Sequence, residues 1–157
     1  MILSEDKIKE NLKNGLIEIE PFDLEYQLNG IFVDLTLSED FYRYSEEILY
    51  PIEMLDLKNP YFNVLEKDRI TDSGMVIEKN KIFIAQSNEY IKTDPSIAVS
   101  ISPKLRLSQM GLHLINAGMI DAGFEGNITF ILYNTNDFPV RIFKDMKICH
   151  LTFHKVD

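Results

Sequence analysis

With 157 residues, 45% of them hydrophobic, the chain has the length of one domain with a substantial core, and it is read as a single domain over 1–157. Its 25 acids against 16 bases give a formal charge of −9, which repels nucleic acid polymers and leaves no dense basic face to bind them. No apolar run approaches the roughly 20 residues of a membrane span, and Glu5 and Asp6 stand where a signal peptide is basic, so a soluble cytoplasmic protein without a membrane partner is expected.

Ser4 followed by Glu5 and Asp6 predicts a helix start, the hydroxyl capping and the acids favouring the positive end of the dipole. Ile8 and Leu12 share one face and Gly15 is the stop. The pattern then turns to alternation. Ile17 to Glu20 reads as a short strand ended by Pro21, and Gly30 to Leu37 as a second. From Tyr42 to Asp72 the aromatics Tyr42, Tyr44, Tyr50, Tyr61 and Phe62 lie among acids and prolines with no clean period, which reads as a long excursion packing its rings on the body of the fold. Val76 to Ala85, Ser96 to Ile101, Asn127 to Tyr133, Val140 to Phe143 and Lys147 to Phe153 are further β-rich runs separated by turn residues, with a short helix expected near 105–112. Many short strands and few helices imply an all-β sandwich or barrel.

Cys149 is the sole cysteine, so it forms no internal disulfide, and its apolar strand context reads as a buried small hydrophobe. His113 and His154 show no ligand spacing with Cys149, so zinc is not expected. The segment Asn116 to Asn134 is the most pointed. It sets Asp121 between apolar Met119-Ile120 and a Gly-Phe-Glu-Gly turn, with Gly118, Gly123 and Gly126 permitting close backbone approach. It reads either as an ordinary hairpin with an acidic tip or as a hairpin that presents Asp121 and Phe124 to a ligand.

AGMIDAGFEG, with a following strand that ends at Tyr133-Asn134, resembles the deoxyuridine-binding hairpin of the trimeric dUTPase and dCTP deaminase superfamily. The opening MILSEDKI, the segment Asn29 to Leu35, the stretch Lys104 to Leu112 and FKDMKICHLTF from Phe143 to Phe153 follow in the family's order, so the resemblance spans nearly the whole chain. It implies a distorted jelly roll or β-barrel, a homotrimer with sites between subunits, and a deoxynucleoside triphosphate, dUTP or dCTP, taken with Mg²⁺. By resemblance Asp121 activates water and contacts the sugar, Phe124 lies under the deoxyribose, and the main chain at Asn116, Gly118, Met119 and Ile120 reads the base. Lys104, Arg106, Ser108 and His150 take the phosphates, and Asp34 helps to organise the metal site. Plain alternatives stay open: a turn-capping Asp121, a strand-end Asp34, and a solvated basic turn at Lys104 to Ser108.

The chain departs from the family pattern in three places. Lys104 stands for an arginine whose bidentate fork it cannot reproduce, with Leu105 and Arg106 where small, usually hydroxylated residues belong. Ile131 occupies the position of the deaminases' proton-shuttling glutamate. His150 replaces a glutamine beside the phosphates. The expected activity is therefore dUTP hydrolysis to dUMP and pyrophosphate with Mg²⁺. The alternatives are a dCTP deaminase or bifunctional deaminase-diphosphatase, favoured by the opening MILSEDKI and the deaminase-like IDAGFEG and opposed by Ile131, and a catalytically degenerate nucleotide-binding or regulatory trimer.

Overall fold

The computed structural model describes residues 1–45, 58 and 65–156. Helix α1 (Glu5–Lys13) begins where the sequence places a cap: the Lys7 amide donates to the Ser4 hydroxyl, Glu5 and Asp6 occupy the first turn and Lys13 the last. The chain continues as β1 (Ile17–Glu20), α2 (Leu24–Gln27), β2 (Leu28–Asn29), β3 (Phe32–Tyr44), β4 (Leu65–Arg69), β5 (Met75–Ile77), β6 (Ile82–Thr93) and β7 (Ile97–Pro103). There follow α3 (Leu105–Gln109), β8 (Leu112–Ile115), β9 (Met119–Ile120), β10 (Glu125–Asn134), β11 (Val140–Ile142) and β12 (Lys147–Lys155).

The fold is mostly β, as its composition of short alternating runs implies. The main sheet runs in the order β8-β10-β6-β3-β12-β7-β9, with β1 added on β6, and β2 and β4 on β3; β5 and β11 form a separate pair. β3 is the shared strand. Its first half pairs with β12, from Val33 opposite Leu151 to Thr36 opposite Lys147, and its second half with β6, where Phe41 faces Ala85. Register shifts interrupt both ladders, between Lys147 and Cys149 and between Leu37 and Phe41. Extra residues of this kind bend and twist a strand, and the sheet curls into a half-barrel. Leu35, Leu37, Phe41, Phe83, Phe130, Leu132 and Phe153 fill its inside, with the rings of Phe41 and Phe83 stacked at 4.5 Å between centroids. Alternation decides what joins them: along β6 the inward positions are Phe83, Ala85, Ser87, Glu89, Ile91 and Thr93, which buries the acid Glu89 between Ser87 and Ile91.

Several expected boundaries move. The run from Val76 to Ala85 is two strands, because the chain turns between β5 and β6 with Asn80 at φ 58. The helix expected to reach 112 stops at Gln109. Gly111, at φ +72 and with no room for a Cβ beside Asn136, turns the chain so that Leu112 opens β8. Within the excursion from Tyr42 to Asp72, Tyr42 and Tyr44 extend β3 and pair with β4, while Tyr50, Tyr61 and Phe62 lie outside the described residues. Among the described residues no helix is long and apolar enough to cross a membrane.

Candidate functional site

The glycine-spaced segment is not a hairpin. β9 pairs with β7, Ile120 facing Val99 and Met119 facing Ser100, whereas β10 pairs with β6 and β8. Asp121 to Phe124 therefore crosses from one half of the curled sheet to the other. The glycines serve a crossover pinned to the turn between β6 and β7: the Thr93 amide donates to the Phe124 carbonyl at 2.9 Å, and the Gly123 amide to the Asp94 carbonyl at 3.2 Å. Asp94 holds that turn, its carboxylate accepting from the Ser96 hydroxyl and amide, which keep its pKa below the ordinary value.

Asp121 lies exposed on this crossover and makes no side-chain hydrogen bond or ion pair among the described residues. Phe124 is half-buried against the core, its ring over Gly126, where a Cβ would stand 3.4 Å from the ring edge at φ +151. Upstream, Asn116 Oδ1 accepts from the Gly118 amide at 2.5 Å, and the Gly118 carbonyl accepts from the Ile101 amide at 3.0 Å. Asn116, Gly118, Met119, Ile120, Asp121 and Phe124 thus form one ribbon along the free edge of β9, with Met119 54% exposed.

A second group forms where β3, β7 and β12 meet. Asp34 on β3 is 3% exposed, and both of its oxygens are taken by ammonium groups: Lys104 Nζ donates to Oδ1 at 2.7 Å, and Lys147 Nζ stands 3.1 Å from Oδ2. Lys104 follows β7 as the N-cap residue of α3, its amide bonded to the Ile148 carbonyl of β12. His150 faces Asp34 across the ladder and tilts onto Phe32, ring centroids 4.3 Å apart. Burial, and next the Lys104 charge, hold the His150 pKa below 6.5, so the ring is mainly neutral near pH 7. Arg106 and Ser108 are exposed on α3 and make no ion pair among the described residues, and Leu105 is 72% exposed. Among the described residues no side-chain hydrogen bond or ion pair joins this group to Asp121 within one chain.

The third cluster was not foreseen. Glu89, 2% exposed, accepts from Gln27 Nε2 at 2.8 Å, the Thr36 hydroxyl at 2.6 Å and the Thr36 amide at 3.0 Å. Gln27 Nε2 also donates to the Asp34 carbonyl at 3.0 Å, so it joins the two acids. Asn88 Nδ2 reaches Thr36, the Leu37 carbonyl and Asp145. A cavity of about 680 Å³ opens beside this network, lined in part by Phe22, Tyr26, Gln27, Asn88 and Glu89. Inward parity along β6 was the available signal for Glu89. Lys147 had none, because its partners Asp34 and Tyr26 lie over a hundred positions away in sequence.

One expectation meets resistance from this geometry. Asp34 as an organiser of magnesium has both oxygens committed to lysines, and among the described residues no three His, Cys, Asp or Glu side chains gather to hold a metal. Among the described residues this arrangement does not fit a resident magnesium ion. Ile131, between Ile84 and Ile115 on neighbouring strands, is a half-buried hydrocarbon in an apolar row, with no proton to exchange.

The chain matches the family model described as dCTP deaminase-like over residues 2–156. It is 39% identical to a dCTP deaminase, dUMP-forming, of Sulfurihydrogenibium sp. (strain YO3AOP1), an alignment covering 100% of this chain and 85% of that protein. Identity and coverage are the same, 39%, 100% and 85%, for a dCTP deaminase, dUMP-forming, of Persephonella marina. The dCTP deaminase of Ignicoccus hospitalis is 33% identical, covering 100% of this chain and 84% of its own length. Among solved structures, the 2′-deoxycytidine 5′-triphosphate deaminase of Agrobacterium tumefaciens superposes with a TM-score of 0.75 at 17% identity, over 98% of this chain and 47% of that one. That likeness bears on the fold. These relatives overturn the expectation of a dUTP diphosphatase: the proteins that match over the whole of this chain are named for dCTP deamination. The opening MILSEDKI and the run IDAGFEG favour the deaminases, and Ile131 alone weighs against them.

Proposed function

The chain belongs to the dCTP deaminase-like family, and on that premise we propose that it acts on dCTP as a dUMP-forming deaminase: dCTP and two waters give dUMP, ammonia and pyrophosphate. The observation that carries this reading is the likeness over the whole of this chain, at 39% identity, to dUMP-forming dCTP deaminases. In this reading the β9 ribbon from Asn116 to Ile120 offers its main-chain groups to the base, Phe124 lies under the sugar, and the free carboxylate of Asp121 orients the water that attacks the α-phosphate. Lys104, Arg106, Ser108 and His150 face the phosphates. Among the described residues no side-chain hydrogen bond or ion pair joins Asp121 to the Lys104 group within one chain, which suits a site closed between subunits of a homotrimer.

Loss of the amine needs a proton carrier, and it is not the side chain at 131. Glu125, on the same strand and hydrogen-bonded by the Tyr90 hydroxyl at 2.5 Å, is the carboxylate we assign to that step. Ile131 favours a second reading, in which the nucleotide is held without turnover.

Purified protein incubated with dCTP and Mg²⁺, with products resolved by ion exchange and ammonia measured, separates the two. dUMP, pyrophosphate and ammonia in equal amounts, lost in Asp121→Asn, support the first reading. Measurable dCTP binding with no product supports the second, and Ile131→Glu is then expected to raise deamination above background. Release of ammonia with dUTP accumulating removes the dUMP-forming step from the proposal.

A further inference from the structure

Lys147 has no part in the site as drawn so far, yet it is bound more completely than Lys104. Its ammonium group contacts Asp34 Oδ2 at 3.1 Å, donates to the Tyr26 carbonyl, and sits 3.7 Å from the centroid of the Tyr26 ring. These contacts use its donors and the open side of its charge. Lys104 is held by a single hydrogen bond, 2.7 Å to Asp34 Oδ1, and its side chain is 31% exposed against 5% for Asp34. Two of its three N–H donors are uncommitted among the described residues.

The three side chains together carry one positive charge in excess, on a protein whose formal charge is −9. If Lys104 alone met Asp34, the pair would be closed and neutral, with nothing left to attract an anion through that negative field. Lys147 changes this, because it answers the Asp34 charge from the other oxygen. Glu89 pairs with neither lysine among the described residues, its oxygens being bonded by Gln27 and Thr36. His150, facing Asp34 across the ladder, adds a neutral ring N–H rather than a competing charge.

We propose that Lys147 is a positioning residue for a polyphosphate site at Lys104: by compensating Asp34 from the far side, it frees the Lys104 ammonium group to bind an anion. The proposal rests on the dCTP reading for its natural ligand, the triphosphate of the nucleotide, but the charge arrangement stands by itself. Arg106, the second residue of α3, is exposed with no ion pair among the described residues. Lys147 touches no phosphate in this scheme and acts through Asp34.

The test is calorimetric titration of the full chain with sodium tripolyphosphate, using wild type, Lys147→Met, Lys147→Arg, Asp34→Asn and the double variant Asp34→Asn/Lys147→Met. Lys147→Met is expected to weaken tripolyphosphate binding by about tenfold, equivalent to about 1.4 kcal/mol, with Lys147→Arg close to wild type. The double variant restores the original charge excess and is expected to return to within about threefold of wild type. A Lys147→Met protein that binds as wild type overturns the proposal, and so does a double variant as weak as the single, which would show that Lys147 only anchors α2. Should Lys147→Met not fold, Asp34→Asn decides: binding at least as tight as wild type supports the proposal and weaker binding overturns it. A wild type that binds no tripolyphosphate also overturns it, whatever happens to dCTP. Wild type that shows the full charge pattern but converts no dCTP leaves the inference standing and removes the deaminase reading.

Discussion

Asp34 and Glu89 are two buried acids on neighbouring strands, 3% and 2% exposed, and one amide nitrogen, Gln27 Nε2, touches the residue of each. They are accommodated in opposite ways. Glu89 is held by neutral donors, one of them a backbone amide inside the β3 ladder, so its negative charge is fixed in place by the fold and reaches no mobile cation. Asp34 is held by two lysine ammonium groups on long stems whose heads reach partly into solvent. A carboxylate bonded by fixed dipoles specifies geometry, whereas one shared between cations leaves a charge that a ligand can use. The first belongs to the architecture and the second to binding.

The sharpest way to break this contrast is to remove Glu89. Glu89→Ala leaves the Thr36 amide and hydroxyl and the Gln27 amide without their acceptor in a buried setting, and a loss of about 3 kcal/mol in denaturant unfolding is expected. A loss below about 1 kcal/mol would mean that the network relaxes onto water in the adjoining cavity, and Glu89 would then not be architectural. Asp34→Ala is expected to cost less, about 1–2 kcal/mol, because Lys104 and Lys147 can turn their heads outward. That loss should shrink as salt is raised, while the Glu89→Ala loss should stay nearly constant, since screening acts on the partly exposed ion pairs and not on the neutral donors.

Cys149 lies close enough to sense both acids. Its thiol is pushed up to about 12, by burial first, then by the charges of Glu89 and Asp34. Native protein should therefore react with a thiol reagent such as Ellman's about a thousandfold more slowly than unfolded chain at pH 8, if thiolate population governs the rate. Because burial leads, Asp34→Asn and Glu89→Gln should each speed the reaction only modestly. A large acceleration from Asp34→Asn alone would show that electrostatics outweighs burial there, and would weaken the separation between the two acids.

What the sequence disclosed and what it withheld divide along the same line. Ser4 capping α1, the alternation of β1 and β10, the apolar runs of β7 and β12, and the core place of Cys149 follow from local chemistry, and they were legible. So was the ribbon around Asp121, although its glycines suggested a hairpin: spacing can show that the backbone bends, but not which strand receives it. The short helix α2 escaped because Asp23 caps only four residues. Ile131 signalled a missing proton carrier, and that local fact pulled the reading toward a dUTP diphosphatase until relatives matched over the whole chain corrected it. Lys147 and Gln27 were invisible for a different reason. Their meaning lies in pairs far apart in sequence, Lys147 with Asp34 and Gln27 with Glu89, and no period within one strand encodes a partner on another.

His150 gives the smallest effect and the one that tests both sides of the contrast at once. Its folded pKa lies below the ordinary 6.5, first from burial and then from Lys104, with Asp34 opposing. The unfolded chain therefore takes up the proton first, so the stability His150 contributes is present above about pH 6.5 and is lost as the pH falls toward the depressed folded value. Since the ring is only half-buried, the slope should be slight, and His150→Gln should flatten it in unfolding measured between pH 7.5 and 5. Over the same range the ring gains a positive charge beside Lys104, so tripolyphosphate binding by wild type should strengthen as stability declines, and the variant should lose that strengthening too. Binding that weakens with stability would place His150 with Glu89 as a part of the architecture instead of with Asp34 at the anion site.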